Sequence, residues 1–119
     1  MRISPIRIFQ MQRMSAIALL VFMTIHMVVV HYPPGHIDFS LIIVRMAQPI
    51  WKVIDILFLA SVLIHALTGM YMVLTDVQQI GRYRQALEWA AVIIFILAFI
   101  YGTQTILAFQ PPATANVIP

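Results

Sequence analysis

The sequence has 119 residues, 62% of them hydrophobic and 9% charged, with a mean hydropathy of +0.95. Soluble domains carry charge on about a quarter of their residues, and a chain this short keeps too much surface to hide so much apolar side chain. A net charge of +3 from seven basic and four acidic residues excludes a nucleic-acid patch and reads as a topology signal, while the absence of cysteine excludes disulfides, thiolate nucleophiles, iron–sulfur clusters and cysteine zinc sites within the chain.

The fold class these features predict is an all-α membrane protein with three transmembrane helices in one domain, residues 1–119. A spanning helix needs about 20 mostly apolar residues, and lipid offers no partner for an exposed strand edge. Three stretches qualify, at about 13–32, 51–76 and 85–110. The basic lead from Met1 to Arg13 is followed by no small-residue cleavage site, so the first apolar run is expected to be a retained helix. Pro33-Pro34-Gly35 ends that helix, and Pro111-Pro112 ends the third. Between the first two spans, Phe39 to Pro49 is apolar but too short to cross, and is expected to lie on the outer surface as a short interfacial helix.

Charge sets the orientation. Arg2, Arg7, Arg13, Arg82 and Arg84 flank one side, and Arg45 and Lys52 the other; five against two place the N-terminus and the second loop in the cytoplasm. Trp51, Trp89, Tyr32 and Tyr83 fall near helix ends, where interfacial anchors belong.

Ionisable residues inside a span are costly and mark function by default. His65 lies mid-way along the second span, eleven residues before Asp76, or roughly 16 Å at the helical rise. At 100° per residue, Ser61, His65, Thr68, Gly69, Met72 and Asp76 fall within about 60° of one another. A histidine with a glycine one turn later leaves room for something bulky and flat. Haem suits it, because neutral imidazole is a common axial ligand and cysteine is absent; the plainer alternative is a histidine that hydrogen-bonds a neighbouring helix. His26 and His31 in the first span are turned about 140° apart, so they do not serve one site together. His26 shares a face with Ser15, should lie about 20 Å from the cytoplasmic end of its helix, and is the better candidate for a second haem; His31 is free to snorkel at the boundary.

Arg13, Asp76 and the Arg82-Tyr83-Arg84 run gather at the cytoplasmic boundary, where ordinary topology explains them most simply. A proton-delivering acid and arginines facing haem propionates are the functional alternative. Asp55 is expected to pair with Lys52 or stay near the outer interface. Glu88 is expected in the first turn of the third helix, complementing its dipole, and that helix is expected to be scaffold.

The run Leu63-Ile64-His65-Ala66-Leu67-Thr68-Gly69-Met70, continued by Val73-Leu74-Thr75-Asp76, resembles the second helix of the smaller membrane-anchor subunit of succinate dehydrogenase. Arg13-Met14-Ser15-Ala16, followed by His26 and His31, looks like the first helix of its two-haem versions. The resemblance implies a subunit without catalysis of its own. It implies a second three-helix anchor subunit sharing one or two b-type haems, and an iron–sulfur subunit and a flavoprotein subunit docked on the cytoplasmic face. His65 would match the axial ligand of the inner haem iron and His26 that of the outer one, with Arg13, Ser15 and Gly69 beside the cofactor. Asp76 matches an acid beside the quinone pocket. The family's tyrosine after that acid is Val77 here, with Tyr83 nearby as the substitute candidate, and the family's Ser-Gly pair is Ser15-Ala16.

The implied function passes electrons from succinate to the quinone pool across a bacterial or archaeal cytoplasmic membrane. A fumarate reductase anchor, a haem-free structural subunit of another membrane complex, and a small transporter or channel subunit are the competing readings; the last lacks a matched pair of broken helices.

Overall fold

The computed structural model describes residues 3–31, 43–44 and 46–108, without the side chains of residues 30 and 31. Among the described residues the regular structure is all helical: α1, Pro5–His26, continued by a π-helical turn, Met27–His31; α2, Pro49–Asp76; a four-residue turn of helix, Gln78–Gly81; and α3, Arg84–Ala108. Three segments are long and apolar enough to cross a membrane: Pro5–Val29, Pro49–Asp76 and Arg84–Ala108. The 28 residues of α2 extend about 42 Å at 1.5 Å per residue, beyond the hydrocarbon thickness of about 30 Å.

The first helix begins at Pro5, well before the expected start near residue 13. Ser4 is its N-cap, its side chain accepting from the Arg7 amide at 3.2 Å, and a proline follows at the start, where its missing N–H costs nothing. Residues 5–13 of the basic lead therefore belong to α1, which brings Gln12 onto the helix, and His26 lies 21 residues beyond Pro5, about 32 Å and not about 20 Å from the helix start. Proline likewise opens α2 two residues ahead of Trp51. The π turn revises another expectation: its i→i+5 winding brings the His31 backbone closer to the face of His26 than α-helical geometry predicts. Of the expected interfacial segment, Ile43, Val44 and Met46 are helical, and the Ala47 amide donates to Ile43 O at 3.1 Å. Its remainder, the Pro33-Pro34-Gly35 cluster, Tyr32, Arg45 and the chain beyond Ala108 lie outside the described residues.

Helix α2 is central, packing on α1 along one side and on α3 along another. The interior is polar. Ile8 is the one buried hydrophobic side chain among the described residues, whereas Ser15, Ser61, Thr68 and Glu88 are all buried. Leu20, Ile17, Val73, Leu97 and Tyr101 stand outward. In lipid no hydrophobic force drives helices together, so small hydroxyl side chains that admit close approach occupy the seams.

Candidate functional site

The α1–α2 seam is antiparallel and is joined by polar pairs. The Ser15 hydroxyl lies 3.0 Å from Gln12 O, one turn back on its own helix, and 3.3 Å from Nδ1 of His65 on α2. One turn away the Thr68 hydroxyl reaches Gln12 Oε1 as well as Ile64 O. Ser61, one turn in the other direction, is buried and donates to Leu57 O at 2.9 Å. The stripe expected on the second span is thus turned toward α1 at His65, Thr68 and Gly69.

The Ser15–His65 contact carries tautomer information. A serine hydroxyl has a single proton; given to Gln12 O, it leaves Ser15 Oγ able only to accept from His65. Nδ1 then carries the imidazole proton, and Nε2, which makes no hydrogen bond among the described residues, keeps its lone pair outward. Metal-ligating histidines are held in this way by a hydrogen bond at the other ring nitrogen. His65 is half-exposed, so Nε2 is reachable from outside this chain.

Gly69 has a different role from the one its spacing suggests. A Cβ there would lie 3.1 Å from Gln12 Nε2, so the space beside the glycine is filled by the Gln12 side chain and is not an open slot. Gln12 itself was hidden from sequence reading by the late helix start.

His26 also faces α2, its ring 5.4 Å from that of Phe58 and tilted by 33°. It is within electrostatic range of Asp55. Lys52, the expected partner of Asp55, directs its Nζ to Leu107 O of α3 at 3.4 Å. Ser15 is level with His65 and His26 with Phe58; eleven residues of α1 separate the two levels, about 16 Å along the helix. No three histidine, aspartate or glutamate side chains converge as a metal group among the described residues.

At the end of the bundle near the N-terminus a cleft of about 750 Å³ opens between the start of α1, the last turns of α2 and the start of α3. Asp76, Thr75 and Tyr71 line it from α2, and Arg82, Arg84 and Glu88 from the chain that follows. Asp76 is exposed at this cleft. Tyr83 and Arg13 are not among its lining residues: Tyr83 is 55% exposed beneath the Arg82 guanidinium, 5.1 Å from its ring centroid, and Arg13 lies over the Phe9 ring at 5.6 Å. Glu88 departs from expectation. The first turn of α3 holds no acid; Glu88 sits in the second turn, only 5% exposed, and Oε1 accepts from the Tyr71 hydroxyl at 3.1 Å. The third helix thus supplies a polar wall as well as scaffold. A tyrosine seventeen residues earlier was the missing signal, and no local spacing rule connects the two.

The family described as Succinate dehydrogenase/Fumarate reductase transmembrane subunit matches residues 5–103. The chain belongs to that family. It is similar to the succinate dehydrogenase hydrophobic membrane anchor subunit of Archaeoglobus fulgidus, 29% identical over 93 residues that cover 77% of this chain and 80% of the relative. It is similar also to the subunit so named of Thermoplasma acidophilum, 26% identical over 94 residues covering 77% and 76%. No solved structure matches the chain. Three spanning helices and anchor-subunit relatives make it an integral, multi-pass membrane protein. The family match starts where α1 starts and takes in Gln12, Ser15, His65, Asp76 and Glu88, so both the polar seam and the cleft fall within it.

Proposed function

We propose that the chain is a membrane-anchor subunit of a succinate:quinone oxidoreductase, holding b-type haem through His65 and forming part of a quinone site. The observation that carries this reading is the contact of Ser15 with Nδ1 of His65. Ser15 engages Nδ1 at 3.3 Å, which leaves Nε2 as the nitrogen offered to a ligand. Partly exposed on the bundle surface, that imidazole is reachable by a ligand from outside the chain. Bound haem supplies a one-electron redox centre whose potential depends on axial ligand and burial.

The chain's own residues divide the remaining work. Gln12 holds Ser15 and Thr68 together, locking the register of α1 against α2. His26, at the other level of the seam, is the ligand proposed for a second haem, with Asp55 beside it. Asp76, Arg82 and Arg84 line the cleft proposed for quinone, where a carboxylate and two cations meet an uncharged, carbonyl-bearing substrate. Haem held at either histidine would take a further ligand from a second three-helix subunit. Iron–sulfur and flavoprotein subunits would deliver electrons at the cytoplasmic side, to which the arginine balance assigns the N-terminus; the membrane would be the cytoplasmic membrane of a bacterium or archaeon.

The test is the visible spectrum of the purified complex after reduction. A b-type band should be present in the wild type and lost for one haem in His65→Ala. An unchanged band in that variant would defeat the ligand assignment.

A further inference from the structure

Glu88 is a buried carboxyl that the α1–α2 seam pairs do not explain. It is 95% buried by its 5% exposure, at the inner wall of the cleft. Oε1 is taken by the Tyr71 hydroxyl at 3.1 Å, but Oε2 is enclosed and has no hydrogen-bond partner among the described residues. Buried polar atoms are nearly always paired, and a carboxyl in a membrane protein costs several kcal/mol unless it is neutralised or paired. A purely structural link between α2 and α3 needs one acceptor for Tyr71, which an amide would provide without a titratable oxygen. The second oxygen is the one that needs an explanation.

The groups that share the cleft with Glu88 come from every element around it. From α1 the cleft receives Ser4, Pro5 and Ile8, none of them titratable. From α2 it receives Tyr71 and, at the exposed rim, Asp76; α3 adds Arg84 and the connection adds Arg82. Glu88 therefore has a donor on one oxygen and an enclosed second oxygen, with Asp76, Arg82 and Arg84 lining the same cleft.

We propose that Glu88 is the carboxyl that gives a proton to the quinone in this cleft, with Tyr71 as the residue that positions it. The proposal rests on the quinone reading above. As a quinone oxygen takes an electron from the iron–sulfur chain of the partner subunits, the Glu88 side chain turns Oε2 from its enclosed position to the cleft, its O–H bond breaks, and an O–H bond forms on the quinone oxygen. The carboxylate left behind keeps the Tyr71 hydrogen bond. It recovers a proton from water at the rim beside Asp76. A second passage supplies the other electron and proton of the quinol.

The assembled complex carrying Glu88→Gln tests this, because the amide keeps an acceptor for Tyr71 and removes the proton. Succinate–quinone reduction should fall about 100-fold in kcat, within the range of a single acid–base group, with little change in KM for quinone. One ionisation should vanish from its pH profile, and Glu88→Asp should recover part of the rate. Reduction of a soluble dye by succinate, which draws electrons upstream of quinone, and haem content should stay at wild-type levels. Wild-type kcat and pH profile in Glu88→Gln would overturn the proposal while leaving the quinone reading intact. If Glu88→Gln loses dye reduction or haem, Tyr71→Phe takes its place: a shifted pH profile supports the positioning, and an unshifted one overturns it. A wild-type complex that reduces dye but no quinone overturns both readings.

Discussion

The two seams of this bundle are built on different principles. Along α1–α2, hydroxyls, an amide and an imidazole meet at Ser15–His65 and Gln12–Thr68, so the helices are held by directed bonds. Along α2–α3 the contact at the far end is one of shape: Gly102 lies so close to Leu59 that an added Cβ would fall 2.5 Å from Leu59 Cδ2. That seam also carries polar contacts, Lys52 Nζ to Leu107 O at the far end and the side-chain pair Tyr71–Glu88 at the near end, where it borders a cleft. Close packing suffices to hold helices in lipid, where interhelical hydrogen bonds contribute only about 0.6 kcal/mol on average. Polar pairs beyond that need are better explained by what they orient than by what they stabilise.

The contrast can be broken most sharply at its second imidazole. In the complex, His26→Ala should remove half the haem and His31→Ala none; full haem in His26→Ala would leave α1 with a purely packing histidine. A smaller effect is expected one step back from the iron. Ser15→Ala should retain the fold but weaken haem retention about 10–100-fold, as loss of a ligand's hydrogen-bonding partner does, measured by haem transfer to an acceptor protein; Ser15→Thr should restore it. Equal haem affinity in Ser15→Ala would mean that the tautomer is set elsewhere. The smallest effect belongs to the other seam. Gly102→Ala forces Leu59 to another rotamer and should cost about 1 kcal/mol, the low end for overpacking, because the end of a flexible side chain can move. Haem content should not change, and a loss there would show that α3 shapes the haem seam too.

Much of this was legible in the sequence. The three spans follow from apolar run length alone, and the stripe through His65, Thr68 and Gly69 follows from helical spacing, since a polar side chain in lipid has few places to go. The start of α1 was written in Ser4-Pro5, a local capping signal outweighed by the apolar run that begins after Arg13. Missing it hid Gln12 and left Gly69 with an empty space that the Gln12 side chain fills. Glu88 was beyond reach for a different reason. On a helix apolar nearly all round, periodicity does not say which side faces inward, and a glutamate near an N-terminus looks alike whether it complements a dipole or is buried against Tyr71. The two imidazoles were placed at different depths by residue counting, and the pairing of Ser15 with His65 and of His26 with Phe58 keeps that order.

The central claim is that His65 offers Nε2 to iron while Ser15 holds Nδ1. The most direct measurement is the reduced absorption spectrum of the purified complex carrying His65→Gly, recorded without and with added imidazole. The account predicts that one haem's band disappears and that imidazole, entering the space of the lost side chain, restores it. A full band without imidazole would contradict the claim.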